Sequence, residues 1–283
     1  MPELPEVEAY RRLAEGRALD RLIRDVVAPD PWYLKRGLSP RGVATALRGR
    51  RFTGADRRGK LLLLATDRDG PTLGLRFGMT GRLLVDGEAG VDRLLYSPDG
   101  EASPPGSGPA PSRARAGRVA SGPQRWERFL VQFDDGGHLR VRDPRRLGGV
   151  ELDPPVARLG PDALALSPAE LRAALGRATV PLKARLLDQS RLAGVGNLIA
   201  DETLWRAGLS PLRPAGSLEP AELRRLHRQL QATLADFLAR GGSHTGKLMP
   251  ERRPGGLCPK DGAPLRRATV GTRTTWWCPV HQR

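Results

Sequence analysis

Cysteine, aromatic residues and long apolar runs are all scarce in this sequence of 283 residues, and each scarcity excludes a class of protein. Two cysteines cannot build a disulfide framework, so we expect a reducing, cytoplasmic location. No stretch approaches the roughly 18 apolar residues that a membrane span requires, and the N-terminus has no apolar signal core. Because aromatic residues make up only 5%, the hydrophobic core must consist mostly of leucine, valine and alanine.

Basic residues, by contrast, are abundant. The sequence has 47 Lys+Arg against 31 Asp+Glu, which gives a formal net charge of +16. A surplus spread along a folded chain favours a polyanionic partner, most simply nucleic acid. The high arginine usage of a GC-rich genome, or plain solubility, would produce the same surplus, so charge alone leaves these alternatives open.

The N-terminal half is predicted to be rich in β-structure. A helix is indicated over residues 4–15, and short apolar or alternating runs then predict strands over about 20–150. The Asp-Gly-Gly turn in VQFDDGGHLRV indicates a hairpin. Strands this close together suggest a sandwich or barrel-like pair of sheets. Residues 98–123 are dominated by Pro, Gly, Ser and Ala, which predicts a disordered insertion in a loop.

Helical patterns follow a linker and extend over about residues 160–241. The segment SPAELRAALGR begins with a serine that has a glutamate three residues on, the sequence signature of a capping box. The longest pattern, EPAELRRLHRQLQATLADFLARG, ends at a glycine. The remaining segment is short and rich in turns, and it contains both cysteines.

The first residues, MPELPEVE, raise a chemical possibility at Pro2. If Met1 is removed, Pro2 presents a secondary amine that is partly neutral near pH 7 and can attack an electrophilic sugar carbon. Glu3 lies close enough in sequence to transfer protons during such an attack. The alternative is that Pro2 only favours removal of Met1, while Glu3 and Glu6 stabilise the start of a helix.

Three turns could contact a nucleic acid. Lys60 precedes an apolar strand and could bind a phosphate as a point charge, or be part of a solvated basic turn. Met79 and Leu147 follow strands at Gly- or Pro-directed turns, and Arg145 adds a cation. An apolar side chain beside a cation is what a wedge into a base stack needs. The alternative for Met79 is a place in the sandwich core.

Two further segments of the C-terminal half could bind phosphate. Asn197 follows Gly194-Val195-Gly196 and begins a predicted helix, whose free N–H groups favour an anion. A tight turn between helices, with Asn197 as its cap, is the alternative. Arg273 lies inside a predicted terminal hairpin, where its guanidinium could contact a phosphate through two hydrogen bonds.

The spacing C-x2-D-x16-C-x2-H near the C-terminus predicts one structural zinc ion. Two close pairs separated by a hairpin suit a tetrahedral site, with Cys258, Cys278 and His281 as ordinary ligands and Asp261 as a less common carboxylate ligand. A hairpin without zinc, or two unconnected thiols, is the alternative.

Several of these segments occur together in one order: PELPEVE, RRGK, GMTGRL, DPRRLG, LLDQSRLAGVGN and RTTWWCPVHQ. The combination resembles the formamidopyrimidine-DNA glycosylase/endonuclease VIII family of base-excision repair enzymes. The resemblance implies an α+β fold of two domains, with an N-terminal β-sandwich flanked by helices and a C-terminal helix–two-turn–helix domain carrying a β-hairpin zinc finger. It places the catalytic domain at 1–153, the helix–two-turn–helix domain at 160–241 and the finger at 255–283.

The resemblance also implies roles for individual residues. Pro2 would be the nucleophile, Glu3 the acid/base partner, Glu6 a site residue, and Lys60, Asn197 and Arg273 the contacts that hold the phosphates around an everted nucleotide. Met79, Arg145 and Leu147 would fill the void that the nucleotide leaves. The implied partner is double-stranded DNA with damaged bases or abasic sites, bound by a monomer near the nucleoid and without a membrane. Base loss would be followed by β- or β,δ-elimination.

One alternative belongs to a different functional class. A catalytically inactive protein could use the same fold to bind damaged DNA. The two hypotheses differ at Pro2, because the enzyme needs a free amine and the binding protein does not.

Overall fold

The computed structural model describes residues 2–91 and 125–283. The chain divides into two compact units. The first comprises residues 13–55, 64–91 and 125–152, and the second comprises 2–12, 56–63 and 153–283. The predicted disordered insertion at 98–123 lies outside the described residues. The predicted domain boundaries remain predictions, but the segments around Pro2 and Lys60 belong to the same compact unit as the C-terminal half.

Strands dominate the N-terminal half, as predicted. They are β1 (Ile23–Val27), β2 (Phe52–Arg58), β3 (Leu61–Thr66), β4 (Leu73–Arg76), β5 (Arg82–Val85), β6 (Glu88–Ala89), β7 (Glu127–Phe133), β8 (His138–Arg142) and β9 (Gly149–Leu152). One sheet has the order β1-β7-β8-β5-β6 and the other β2-β3-β4-β9. The pairs β1–β7, β7–β8, β5–β8, β5–β6 and β4–β9 are antiparallel.

The two sheets contribute apolar side chains to a common core. Phe52 on β2 and Phe133 on β7 are both buried, and their ring centroids lie 6.4 Å apart in an edge-to-face arrangement. The predicted hairpin joins β7 to β8, where the Phe133 N–H donates to the Gly137 carbonyl at 2.9 Å. Gly136 has a φ of 88°, which explains the need for glycine in this turn. The predicted pair of packed sheets is therefore confirmed.

Two helices accompany the strands. The predicted N-terminal helix is α1 (Leu4–Arg17), and a second helix, α2 (Pro40–Leu47), lies in the region where only strands were expected. The Ser39 hydroxyl accepts a hydrogen bond from the Gly42 N–H, and Pro40 occupies the first turn. The apolar signal of α2 is short, with Val43 and Leu47 buried four residues apart, and the neighbouring strand patterns obscured it.

Helices and a terminal hairpin form most of the second unit. They are α3 (Pro168–Leu175), α4 (Leu182–Leu187), α5 (Asn197–Ala207), α6 (Pro220–Ala239), β10 (Arg266–Val270) and β11 (Arg273–Trp277). The predicted capping box of α3 is confirmed, because Ser167 and Glu170 exchange both hydrogen bonds. Leu4 of α1 belongs to the same buried cluster as the apolar faces of these helices. No helix among the described residues is long and apolar enough to cross a membrane.

Candidate active site and metal centre

Glu3 is fully buried, and its carboxylate lies at the N-terminus of α5. One carboxylate oxygen accepts the Leu198 N–H at 2.9 Å, and the other accepts the Ile199 N–H at 3.1 Å. Gly196, the N-cap residue, offers no side chain to these donors. Glu3 therefore caps α5 from a distant part of the sequence, where the positive end of the helix dipole stabilises its negative charge.

The glycines before α5 make room for the N-terminal segment. A Cβ added at Gly196 would lie 2.1 Å from the carboxyl carbon of Glu3, and one added at Gly194 would lie 2.5 Å from a methyl carbon of Leu4. Gly194 also has a φ of 111°. The sequence predicted an anion at the free N–H groups of this helix start. The structure shows that the glycines let the Glu3 carboxylate approach two of these groups.

Glu6 connects the backbone at Glu3 to Ser243 through its two carboxylate oxygens. One of its carboxylate oxygens accepts the Glu3 N–H at 2.8 Å. The other accepts both the N–H and the hydroxyl of Ser243, at 2.6 and 2.7 Å. Because Glu6 is buried and spans these two segments, it fixes the backbone at Glu3 relative to the chain that follows α6.

A buried ion-pair network supports the turn that carries Lys60. Asp162 accepts the Gly59 N–H at 2.6 Å and the Arg57 guanidinium at 2.7 Å. Arg57 also contacts Glu8 of α1 at 3.1 Å and donates to the Gly59 carbonyl at 2.9 Å. Lys60 itself is half-buried, and the network restricts the position of its backbone. This network could not be predicted from the sequence, because its members lie far apart along the chain.

The charges of Glu3, Lys60 and Arg273 influence one another. Burial raises the pKa of the Glu3 carboxyl, and the positive charge of Lys60 acts in the opposite direction. Burial also lowers the pKa of Lys60; the Glu3 charge opposes this effect, and Arg273 adds to it. Both shifts bring the two groups towards the neutral pH range, where proton transfer by side chains is most effective.

The two remaining predicted phosphate contacts also lie in the second unit. Asn197 is the first residue of α5, and its buried Oδ1 atom accepts no hydrogen bond from any residue that the structure describes. Arg273 is exposed at the start of β11, opposite Val270 in the hairpin. A free amide oxygen and an exposed guanidinium are both available for a ligand.

A buried lysine holds the hairpin near Arg273. Lys183 of α4 is fully buried and forms an ion pair with Asp201 of α5 at 2.6 Å. Its ammonium also donates to the Thr275 hydroxyl at 2.7 Å and to the Thr274 carbonyl at 3.2 Å. Lys183 therefore connects α4 and α5 to the first residues of β11. This role was not predicted from the sequence.

The predicted wedge residues lie on two adjoining turns of the first unit. Arg145 and Leu147 are exposed on one turn, and Met79 is half-buried on the other. The two backbones touch, because a Cβ added at Gly78 would lie 2.4 Å from the carbonyl carbon of Leu147. The structure thus brings these three residues near one another.

Asp143, which the sequence analysis did not single out, organises both turns. Its fully buried carboxylate accepts the Thr80 hydroxyl at 2.5 Å, the Gly148 N–H at 2.9 Å and the Tyr33 hydroxyl at 3.3 Å. Burial, together with the charge of Asp143, raises the pKa of Tyr33 well above its ordinary value, so this hydroxyl remains a donor. In the sequence, the available signal was an aspartate directly before a proline at the end of a predicted strand.

We expect Asp143→Asn to destabilise the protein by about 1–3 kcal/mol, because the new amide group would face a buried donor and leave it unsatisfied. The exposed Asp134 of the β7–β8 turn provides a matched control, and Asp134→Asn should change the free energy of unfolding by less than about 0.5 kcal/mol. Urea denaturation of both variants measures the difference. Equal stability of the two variants would show that Asp143 does not hold the turns.

The four predicted metal ligands come together at the terminal hairpin. They are Cys258, Asp261, Cys278 and His281, and one donor atom from each lies within 4.8 Å of all the others. The shorter separations are 2.9 Å between His281 Nδ1 and Asp261 Oδ2 and 3.2 Å between Cys278 Sγ and Asp261 Oδ2. Donors bound to one tetrahedral zinc lie about 3–4 Å apart, so the residues fit this ion.

Comparison with known proteins agrees with the fold. The chain matches the formamidopyrimidine-DNA glycosylase N-terminal domain over residues 1–150 and the formamidopyrimidine-DNA glycosylase H2TH domain over residues 159–248. A formamidopyrimidine-DNA glycosylase of Geobacillus kaustophilus is 33% identical, and the match covers 100% of both chains. One of Thermus thermophilus is 36% identical over 100% of this chain and 98% of the relative.

Solved structures show the same fold. A Lactococcus lactis Fpg with a FAPY-dG containing DNA has a TM-score of 0.79 at 24% identity, over 99% of this chain and 100% of that one. A complex between the Lactococcus lactis Fpg and an abasic site containing DNA gives the same TM-score and identity over 100% of both chains.

These findings define the class of protein as a DNA glycosylase of base-excision repair that also cleaves abasic sites. The chain belongs to the formamidopyrimidine-DNA glycosylase family. The predicted family, the predicted α+β fold and the predicted enzyme class are confirmed.

Proposed function

We propose that this glycosylase uses the nitrogen of Pro2 as its nucleophile, once Met1 has been removed. The observation that carries the proposal is the buried Glu3 carboxylate, which directly follows Pro2 and is fixed by two N–H groups of α5. A proton acceptor is thereby fixed on the residue that directly follows the amine. The raised pKa of Glu3 suits a group that both accepts and returns a proton.

The proposed reaction begins with a bond between the Pro2 nitrogen and C1′ of a damaged nucleotide. The bond from C1′ to the base breaks, and the base leaves with its electron pair and takes up a proton from solvent. Glu3 accepts the proton from the Pro2 nitrogen and delivers it to the ring oxygen of the sugar, which opens to give an iminium. Loss of a C2′ proton then expels the 3′ phosphate, and a second elimination can expel the 5′ phosphate.

Lys60, Asn197 and Arg273 are proposed to bind the phosphates on either side of the everted nucleotide. Eversion is required because C1′ is inaccessible in a stacked duplex. We propose that Met79, Arg145 and Leu147 occupy the space that the nucleotide leaves. Glu6 does not react in this scheme; it positions Glu3 through the hydrogen bond to the Glu3 N–H.

A panel of duplexes, each with one lesion, tests the proposed activity. The substrates should include formamidopyrimidine and an abasic site, since structures of relatives hold these DNAs. Excision followed by strand cleavage is expected, and the gel mobility of the 3′ end distinguishes β- from β,δ-elimination. Tight binding without cleavage of any duplex would support the inactive binding protein instead; the relatives compared above are all named glycosylases. A DNA substrate agrees with a cytoplasmic location at the nucleoid.

We propose that Cys258, Asp261, Cys278 and His281 hold one zinc ion that stabilises the terminal hairpin. The close approach of the four donor atoms supports the proposal. When bound, the metal would fix the two loops that carry the ligands and so the hairpin that carries Arg273.

Metal analysis of purified protein should give about one zinc per chain. Asp261→Cys supplies a stronger zinc ligand and should retain the metal, whereas Asp261→Ala removes a ligand and should lower the affinity. Freshly purified wild-type protein with a zinc content near zero would contradict the site.

A further inference from the structure

Trp205, near the C-terminal end of α5, contacts two of the four metal ligands. Its indole Nε1–H donates to the Cys258 Sγ atom at 3.3 Å, and its carbonyl oxygen lies 3.1 Å from His281 Nε2. The indole and imidazole rings meet edge to face, with centroids 6.2 Å apart. Trp205 and Cys258 belong to one buried cluster, so solvent does not compete for the contact between the indole and the sulfur.

The contact with His281 determines which nitrogen of its ring can bind a metal. A carbonyl oxygen only accepts hydrogen bonds, so His281 Nε2 must carry the proton and donate it to Trp205. The lone pair then lies on Nδ1, which is the atom that faces the other ligands. Nδ1 is 2.9 Å from Asp261 Oδ2 and 3.5 Å from Cys258 Sγ.

The hydrogen bond from the Trp205 indole would stabilise the negative charge of Cys258 Sγ when this sulfur binds a metal as a thiolate. The Lys260 N–H also approaches Cys258 Sγ, at 3.4 Å, and the Val280 N–H approaches Cys278 Sγ at the same distance. Each cysteine sulfur therefore has one backbone N–H nearby, two residues further along the chain. The indole N–H is an additional donor to Cys258, and it comes from outside the hairpin.

Lys260 holds the carbonyl of Trp205 in place. Its ammonium donates to the Trp205 carbonyl at 2.9 Å and to the Arg206 carbonyl at 3.1 Å, and it lies 4.7 Å from the indole centroid. A cation at the C-terminal end of a helix is favoured by the helix dipole. The end of α5 is thereby joined to the loop that carries Cys258 and Asp261.

We propose that Trp205 is a positioning residue that anchors the metal centre to α5 and slows the release of the metal. The proposal rests on the proposed zinc site. The carboxylate of Asp261 is a harder ligand than a thiolate, so the hydrogen bonds that orient the remaining ligands have more influence on metal retention. Trp205 lies eight residues after Asn197 on α5, or about 12 Å along the helix axis, so one helix orients Glu3 at its start and the metal ligands at its end.

Substitution with ¹¹³Cd tests the hydrogen bond in the unaltered protein. Scalar coupling across an N–H···S–Cd contact gives a correlation between the metal and the donated proton. We expect correlations to the Trp205 indole proton and to the Lys260 and Val280 amide protons. If cadmium correlated with the Lys260 and Val280 amide protons but not with the Trp205 indole proton, the proposal would be overturned. Failure to bind cadmium at all would instead contradict the zinc site on which it rests.

Trp205→Phe tests the consequence, with Trp277→Phe as the matched control. Trp277 is buried at the end of β11 in the terminal hairpin, and its indole donates no hydrogen bond to a sulfur atom of the described residues. Transfer of zinc to a chelator should be about tenfold faster for Trp205→Phe than for the control, as for other changes in the outer shell of a metal site. The sulfur-to-metal charge-transfer band of the cobalt form should shift to lower energy only in Trp205→Phe.

A structural role without a hydrogen bond would give a different pattern. Loss of packing alone would speed zinc release in both variants and leave the cobalt band unchanged, and this result would overturn the proposal. The cadmium experiment on the wild-type chain decides the matter if Trp205→Phe does not fold.

Discussion

Glu3→Gln is expected to lower the rate of base excision by about 100- to 10,000-fold, the usual contribution of a positioned general acid–base. Glutamine keeps the shape of the side chain but cannot accept the proton of the attacking amine. Its amide group must also face a helix N–H, so we expect the free energy of unfolding to fall by about 1–3 kcal/mol. Single-turnover rates at a temperature where the variant is folded separate the two effects.

Glu8→Gln is the control for the loss of a buried carboxylate. Glu8 lies on α1, which begins directly after Glu3. Burial acts to raise the pKa of the Glu8 carboxyl, but its contacts with Arg11 and Arg57 lower it below the ordinary value. We expect a comparable loss of stability but less than about a tenfold loss of rate. If the two variants had the same excision rate, Glu3 would have only the structural role of capping α5.

Lys60→Met is expected to move the acid limb of the pH–rate profile to higher pH. The positive charge of Lys60 lowers the pKa of the Glu3 carboxyl, against the effect of burial. Its removal therefore raises that pKa further, and Glu3 becomes ionised only at a higher pH. The rate itself should also fall by about tenfold or more, because a charge-assisted contact with phosphate is worth roughly 1.5–3 kcal/mol.

Lys60→Arg provides the matched control, because it keeps the charge while changing the shape of the side chain. Its acid limb should remain near that of the wild type even if its rate falls. The pH dependence of kcat/KM gives the position of the acid limb for the wild type, Lys60→Met and Lys60→Arg. An acid limb that is the same in wild type and Lys60→Met would show that the ionisation of Glu3 does not control the reaction.

Features formed by residues close in sequence were the most predictable. The helix α1, the β7–β8 turn and the capping box of Ser167 depend on neighbouring residues, and the sequence predicts each of them. The metal ligands also lie within one short segment, so their spacing alone indicates the site. In contrast, α2 has only eight residues among strong strand patterns, and its helical period was not recognised.

Contacts between distant segments could not be predicted. Glu3 caps α5 across a separation of 195 residues, and no local pattern records which anion occupies that helix end. The sequence therefore predicted an anion at the start of α5, but it could not indicate that Glu3 occupies two of the N–H groups. Asp143 and Lys183 were missed for the same reason, since their partners come together only when the chain folds.

The bond between protein and DNA during turnover tests the account most directly. Borohydride added to the protein and a duplex with an abasic site should reduce the iminium and trap a covalent complex, whose modified peptide mass spectrometry can identify. We predict that Met1 is absent and that the sugar is attached to the nitrogen of Pro2. A sugar attached to Lys60 or another lysine, or full activity in protein that still carries Met1, would contradict the account.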